Sequence, residues 1–208
     1  MEEQYSMLKG KKLLIFDCDG VLISSTPANT AYFNHCLTLA GHPALAEQYS
    51  DKVAYMSLEQ LIFEIFGDTE EGRRVFNLSK TVPYDPFLDM IEVKFDFNEV
   101  LGRLRKNYFL AVASNRGKSL VTLFRHLHLY DYFHYKISAR DAEPKPSPDM
   151  ITRCMWYFGV SAKETIFFGD AVSDREAAQS ADVDYCWVGP ADEGPSIASV
   201  TELLSYLE

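Results

Sequence analysis

Three polar groups of residues each follow directly on a short apolar run. Leu13-Leu14-Ile15-Phe16 leads into Asp17-Cys18-Asp19-Gly20, Tyr108 to Ala113 leads into Ser114-Asn115, and Thr165-Ile166-Phe167-Phe168 leads into Gly169-Asp170, with Asp174 one helical turn further on. A fourth group, Glu143-Pro144-Lys145-Pro146-Ser147-Pro148, sets a lysine between prolines. Residues i and i+2 of an extended strand point to one face, and two carboxylates so close repel unless a cation or a donor compensates. Asp17 and Asp19 therefore suit a metal or a shared catalytic task; capping of a strand exit and the following turn is the competing reading. Asp170 and Asp174 are spaced i, i+4 and face one side of any helix that starts there. Helix capping competes here too, more strongly for Asp174. With Asp17 they form an all-oxygen donor set of the kind that holds magnesium. The Ser114 hydroxyl and neighbouring backbone N–H groups can hold an anion at a helix N-terminus, or simply cap that helix. Lys145, its backbone restricted by proline on both sides, can neutralise a phosphate oxygen or keep Asp17 ionised; alternatively it is a solvated lysine in a proline-rich turn.

The elements that must position these residues alternate. Short apolar runs bounded by Gly, Asn or Asp read as buried strands, and two more occur, at Tyr135 to Ser138 and Val183 to Val188. Between them lie helical stripes such as Leu120, Leu123, Phe124 and Leu127, and Met150, Ile151, Cys154, Met155 and Phe158, the latter stopped near Gly159. Strand–helix alternation implies a parallel sheet covered on both faces, whose ligands bind at the carboxyl ends of the strands. Asp17, Ser114 and Asp170 all fall at such ends, so residues remote in sequence converge on one crevice. The stretch from about Thr26 to Asp96 breaks the alternation: three amphipathic runs and no convincing strand predict an all-helical insertion after the first strand. The expected organisation is an α/β core with a Rossmann-like parallel sheet, residues 1–25 and 95–208, and a helical cap, residues 26–94, hinged at Ser24 to Pro27 and Val93 to Asp96.

Composition sets outer bounds. A chain of 208 residues with 47% hydrophobic content can bury one substantial core and a modest second one. The net charge of −10 argues against a broad nucleic-acid surface and against anionic membranes, although one local site with its own cation can still take a small anion. Cys18, Cys36, Cys154 and Cys186 show no CxxC pair and no zinc or disulfide spacing, as expected of reduced thiols in a cytoplasmic protein. The first dozen residues do not read as a signal peptide, and no apolar run approaches the roughly 18 residues of a membrane span.

Taken together, Phe16-Asp17-Cys18-Asp19-Gly20-Val21-Leu22, Ala113-Ser114-Asn115, Lys145-Pro146-Ser147-Pro148-Asp149 and Gly169-Asp170 with Asp174 resemble the motifs of the haloacid-dehalogenase-like hydrolase superfamily, across nearly the whole chain. The chain is most similar to the branch of small phosphatases and phosphomutases with a helical cap after the first strand. The resemblance implies that Asp17 attacks phosphorus and becomes an aspartyl phosphate, and that Asp19 serves as acid and then as base. It implies that Ser114 and Asn115 bind the transferring phosphoryl group, aided by Lys145, which offsets its charge. Magnesium would be held by Asp17, the backbone carbonyl of Asp19, Asp170 and Asp174. The implied partner is a small phosphorylated metabolite, handled by a monomer or weak dimer without nucleic acid or membrane.

Two departures from the family pattern stand out. Ser24 occupies a position that often carries an acid, and Val93-Lys94-Phe95-Asp96 replaces a usual Pro-Gly. A phosphomutase is the alternative to a phosphatase. Similar mutases place a histidine where Asn29 stands and a basic residue near Ala54-Tyr55-Met56-Ser57, and both differences favour hydrolysis. Asp19 argues against a dehalogenase and against a non-catalytic binding module. None of the cap's polar residues His35, His42, Tyr55, Arg73, Arg74, Lys80 and Tyr84 is singled out for substrate recognition.

Overall fold

The apolar runs become strands in a computed structural model, which describes residues 7–54, 56–117, 119–191 and 193–207; Tyr55 lies outside the described residues. The chain divides into two compact units, Met1–Ile23 with Val93–Glu208, and Ser24–Glu92.

In the first unit, β1 (Leu13–Phe16), β4 (Phe109–Ser114), β5 (Tyr135–Ser138), β6 (Thr165–Gly169), β7 (Asp184–Val188) and β8 (Ser196–Ile197) form one sheet in the order β5-β4-β1-β6-β7-β8. Every pairing is parallel, and Leu13 of β1 stands level with Phe109 and Thr165 of its two neighbours. The helices α4 (Phe97–Leu104), α5 (Ser119–His126), α6 (Asp149–Phe158) and α7 (Val172–Ser180) make the connections. Side chains alternate across the strands. Leu13, Ile15, Ala111, Ala113, Ile137 and Phe167 point to the layer formed by Met150, Ile151 and Cys154 of α6 and by Ala177 and Ala178 of α7. On the other face Phe16 stacks on Phe168 with ring centroids 5.0 Å apart and meets Phe133, which in turn packs on Phe124 of α5. Helix α6 stops at Gly159, whose left-handed φ of 64° suits glycine. Helix α4 starts at Asp96, whose carboxylate accepts the Glu99 N–H.

The second unit contains α1 (Thr26–Leu39), α2 (Leu58–Phe66) and α3 (Glu70–Ser79), with two 3-10 segments. Phe33 and Leu37 of α1, Leu61 and Ile62 of α2 and Val75 of α3 form its own apolar core. Ser57 and Gln60 make a reciprocal capping box at the start of α2, and Thr69 caps α3. The expectation of no strand in this stretch needs correction: Glu92–Val93 is a two-residue strand, β3, paired with β2 (Ile23–Ser24). Two residues are too few to show a period of two, and the same brevity hid β8.

Candidate active site

The three polar strand exits converge because β1 lies between β4 and β6. Asp17 continues β1, and its N–H donates to the Phe168 carbonyl at 2.8 Å, which fixes the exit of β1 against β6. Ser114 ends β4 and Gly169 ends β6. Carboxylate oxygens of Asp17, Asp170 and Asp174 all lie within 4.8 Å of one another.

Lys145 binds this cluster together. Its Nζ lies 2.6 Å from Asp17 Oδ1 and 2.6 Å from Asp174 Oδ1, and the side chain is buried. The lysine is not the solvated turn residue that its proline-rich surroundings allow. Burial would push its ammonium down, but the Asp17 and Asp174 carboxylates outweigh that and hold it above the ordinary lysine value. One ammonium shared by two carboxylates leaves negative charge in excess. Burial pushes Asp17 up to about 8 and Asp170 up to about 6, with Asp174 adding repulsion in both cases. An all-oxygen set with this much uncompensated charge fits a hard divalent cation such as magnesium.

The helix-capping reading of Asp174 holds, with one oxygen left to face the cluster. Asp174 sits in the first turn of α7, where its Oδ2 accepts the N–H groups of Asp170 and Ala171 at 3.1 Å each, so it closes the helix start with one oxygen. Its other oxygen faces Lys145. Two glycines make room for this packing. A Cβ on Gly169 would lie 2.5 Å from the Asp174 Cβ, and one on Gly20 would lie 1.6 Å from Asp170 Oδ2. Gly20 also adopts φ +80°, a left-handed conformation that only glycine takes without strain.

Ser114 is buried, and its Oγ accepts the Arg116 N–H at 3.1 Å. The Asn115 side chain is engaged with the main chain of Lys145. Its Oδ1 accepts the Lys145 N–H at 2.8 Å and its Nδ2 donates to the Lys145 carbonyl at 3.0 Å. The amide side chain is thus committed to the main chain of Lys145 and positions that lysine.

Two basic residues that motif reading passed over also stand here. Arg116 forks onto Asp19, with Nε 2.6 Å from Oδ2 and Nη2 2.7 Å from Oδ1. Lys94 donates from Nζ to the Gly20 carbonyl, and its charge counters the upward push on Asp170. Each had a signal in the sequence: Arg116 follows Ser114-Asn115 at once, and Lys94 lies in the segment that departs from the family's Pro-Gly. Among the described residues, no helix is long and apolar enough to cross a membrane.

Comparison with known proteins agrees with this arrangement. The family model described as haloacid dehalogenase-like hydrolase matches residues 14–188. The phosphoglycolate phosphatase of Nitrosococcus oceani is 25% identical over 185 residues, covering 84% of this chain and 82% of that protein. The phosphoglycolate phosphatase of Pectobacterium atrosepticum is 29% identical over 182 residues, covering 81% of this chain and 76% of that one. Among solved structures, a HAD-superfamily hydrolase of subfamily IA from Geobacter sulfurreducens superposes with a TM-score of 0.83 at 24% identity, covering 96% of this chain and 97% of that one. With the matched region running from the first strand through β7 and containing every residue of the site, the chain belongs to the haloacid dehalogenase-like hydrolase family.

Proposed function

We propose that the protein is a magnesium-dependent phosphatase that hydrolyses a small phosphate monoester through an aspartyl phosphate on Asp17. The observation that carries this reading is the buried cluster in which Lys145 touches Asp17 and Asp174 while Asp170 completes an oxygen-rich triad. Asp17, Asp170, Asp174 and the main-chain carbonyl of Asp19 are the groups to hold magnesium. When bound, the ion supplies positive charge that lets a phosphate dianion approach a carboxylate.

The chain's own residues do the rest. An Asp17 oxygen attacks phosphorus, a new O–P bond forms, and the bond to the leaving oxygen breaks. Asp19 gives its proton to that leaving oxygen. Asp19 then takes a proton from a water molecule whose oxygen attacks the phosphorus of the aspartyl phosphate, which frees inorganic phosphate and restores Asp17. Ser114 donates a hydrogen bond to a phosphoryl oxygen, and Lys145 offsets charge that builds during transfer. Asn115 holds Lys145 in place.

The helical unit Ser24–Glu92 is proposed as the cap that excludes water and reads the leaving group. Within it, Tyr84 donates to Asn29 Oδ1 at 2.7 Å, and Asn29 Nδ2 donates to Ser25 Oγ at 3.1 Å. A fixed amide at the position where similar mutases carry a histidine supports hydrolysis over phosphomutase chemistry. The names of the bacterial relatives make 2-phosphoglycolate the first substrate to try. A cytoplasmic setting accords with four free, buried cysteines.

The test is phosphate release from p-nitrophenyl phosphate with magnesium and with chelator, then from 2-phosphoglycolate and a panel of phosphorylated acids and sugars. Magnesium-dependent release is expected. A folded, magnesium-loaded protein that releases phosphate from none of them would overturn the proposal.

A further inference from the structure

The Arg116–Asp19 pair is well placed to control the reaction. Arg116 is mostly buried, with 10% of its side chain exposed against 35% for Asp19, and it meets both carboxylate oxygens in a fork. Forked guanidinium–carboxylate pairs are strong and directional. This one covers both oxygens of the group to which the phosphatase mechanism assigns proton transfer. A carboxylate so engaged has a lone pair on each oxygen tied to the guanidinium and is restrained from turning towards a leaving group or a water molecule.

The same arginine is tied to the phosphate side of the site. Its own N–H donates to Ser114 Oγ, the hydroxyl that the mechanism sets on the phosphoryl group. Asp17 and Asp19 are separated by Cys18 alone. Arg116 thus touches the phosphate side through its backbone and Asp19 through its guanidinium, so a phosphoryl group between Asp17 and Ser114 comes close to the residue that holds Asp19. The phosphoryl group offers more oxygens and more negative charge than one carboxylate.

We infer that Arg116 is a partner-exchanging phosphate ligand, clasping Asp19 in the empty site and transferring to the phosphoryl group when substrate binds. The transfer releases the Asp19 carboxylate, which then takes a proton from solvent or from the substrate monoanion and passes it to the leaving oxygen. Arg116 stays on the phosphoryl group through both half-reactions, and its return to Asp19 helps to expel inorganic phosphate. By reciprocity, whatever weakens the hold of Asp19 on Arg116 must strengthen the hold of phosphate on the enzyme.

The inference rests on the phosphatase reading, and calorimetric binding of inorganic phosphate to the magnesium-loaded enzyme separates the two. Wild type, Arg116→Gln, Asp19→Asn and the double variant are compared, with thermal melting to confirm folding. Arg116→Gln should weaken phosphate binding about 10- to 100-fold, the worth of a lost charge-assisted pair. Asp19→Asn should tighten it several-fold in the wild-type background and by much less in the Arg116→Gln background, because the competitor matters only while the arginine is there. If glutamine unfolds the protein, Arg116→Lys keeps the charge without the fork and should still bind phosphate more weakly than wild type. Phosphate binding unchanged by the Arg116 variant, or equal tightening by Asp19→Asn in both backgrounds, overturns the exchange while leaving the phosphatase reading intact. A wild type that neither binds phosphate nor hydrolyses p-nitrophenyl phosphate overturns both.

Discussion

Lys145→Met isolates the charge at the centre of the cluster, because methionine keeps most of the aliphatic stem that lies against Phe167, where the ammonium stands 5.4 Å from the ring centroid. The native ammonium is 2.6 Å from a carboxylate oxygen on each of Asp17 and Asp174. Removing it leaves two buried carboxylates without a counter-ion, a class of change that costs about 3–5 kcal/mol. At about 2–4 °C per kcal/mol for a chain of this size, the core should melt roughly 6–20 °C lower in chelator near pH 8. Two dependences distinguish this cause from a packing defect. Burial raises Asp17 to about 8 and Asp170 to about 6 in the folded state, so the folded chain retains protons that the unfolded chain releases. The contribution of these groups to stability is therefore fully present at low pH and is lost as pH rises towards those values. Without Lys145 the carboxylates are raised further, so the gap between variant and wild type should widen from pH 5 to pH 8. Magnesium should narrow that gap, because it replaces the lost positive charge and binds the variant more tightly. Thermal melts of both proteins at the two pH values, with and without magnesium, provide the measurement. Equal melting temperatures in chelator at pH 8, or a gap indifferent to pH and magnesium, would refute the electrostatic account.

Asp17→Asn should abolish phosphate release while leaving the melting temperature in chelator unchanged or raised, since a buried carboxylate is neutralised; turnover within tenfold of wild type would remove Asp17 as the nucleophile. Gly20→Ala should be damaging out of proportion to its size, because it adds a Cβ 1.6 Å from Asp170 Oδ2 at a φ of +80°; a weakened calorimetric affinity for magnesium is the expected signature, and native affinity would show that the Asp170 position does not matter. Asn115→Ala removes both side-chain bonds to the Lys145 main chain and should lower kcat about 10- to 100-fold, as misplacement of a charge-stabilising group does, with a smaller effect on KM. Excising Ser24–Glu92 for a short linker should reduce turnover of the natural substrate far more than that of p-nitrophenyl phosphate; equal loss in a folded core would deny the cap a role in specificity.

The legible parts of the sequence are the apolar runs of four or more residues. Leu13–Phe16 with Asp17 directly after it, and Thr165–Phe168 with Asp170 one residue beyond, show both the strand and the carboxylate at its end, since the charged residue comes only where a buried parallel strand emerges. The two-residue strands β2, β3 and β8 carry no such pattern, because their existence depends on a neighbour rather than on local composition. The same limit governed the site. Asp17, Asp170 and Asp174 could be grouped from their strand ends, but nothing in the order of residues says that the Asn115 amide turns to the Lys145 main chain instead of to an anion. Nor does the sequence say that Arg116 reaches Asp19, a contact between segments brought together only when β4 joins β1. Pairings made across the sheet by long side chains are set by rotamers and packing, which spacing along the chain does not encode.

The strand order also sets a timetable for synthesis. Of the described strands β1 is made first, yet it occupies the interior of the sheet, level with Phe109 on one side and Thr165 on the other. At roughly 5–20 residues per second on the ribosome, Leu13–Phe16 waits on the order of seconds for its first hydrogen-bonding neighbour and longer for its second. During that wait Ser24–Glu92, contiguous and equipped with its own apolar cluster, is already fully synthesised, while an unpaired strand of four apolar residues remains a target for chaperones and for other nascent chains. Asp17 emerges early, but its lysine and its fellow carboxylates are among the later residues translated. A chain interrupted before β4 therefore presents the helical unit attached to an unpaired, chemically inert strand, and quality control at that stage acts on a protein that has no active site to lose.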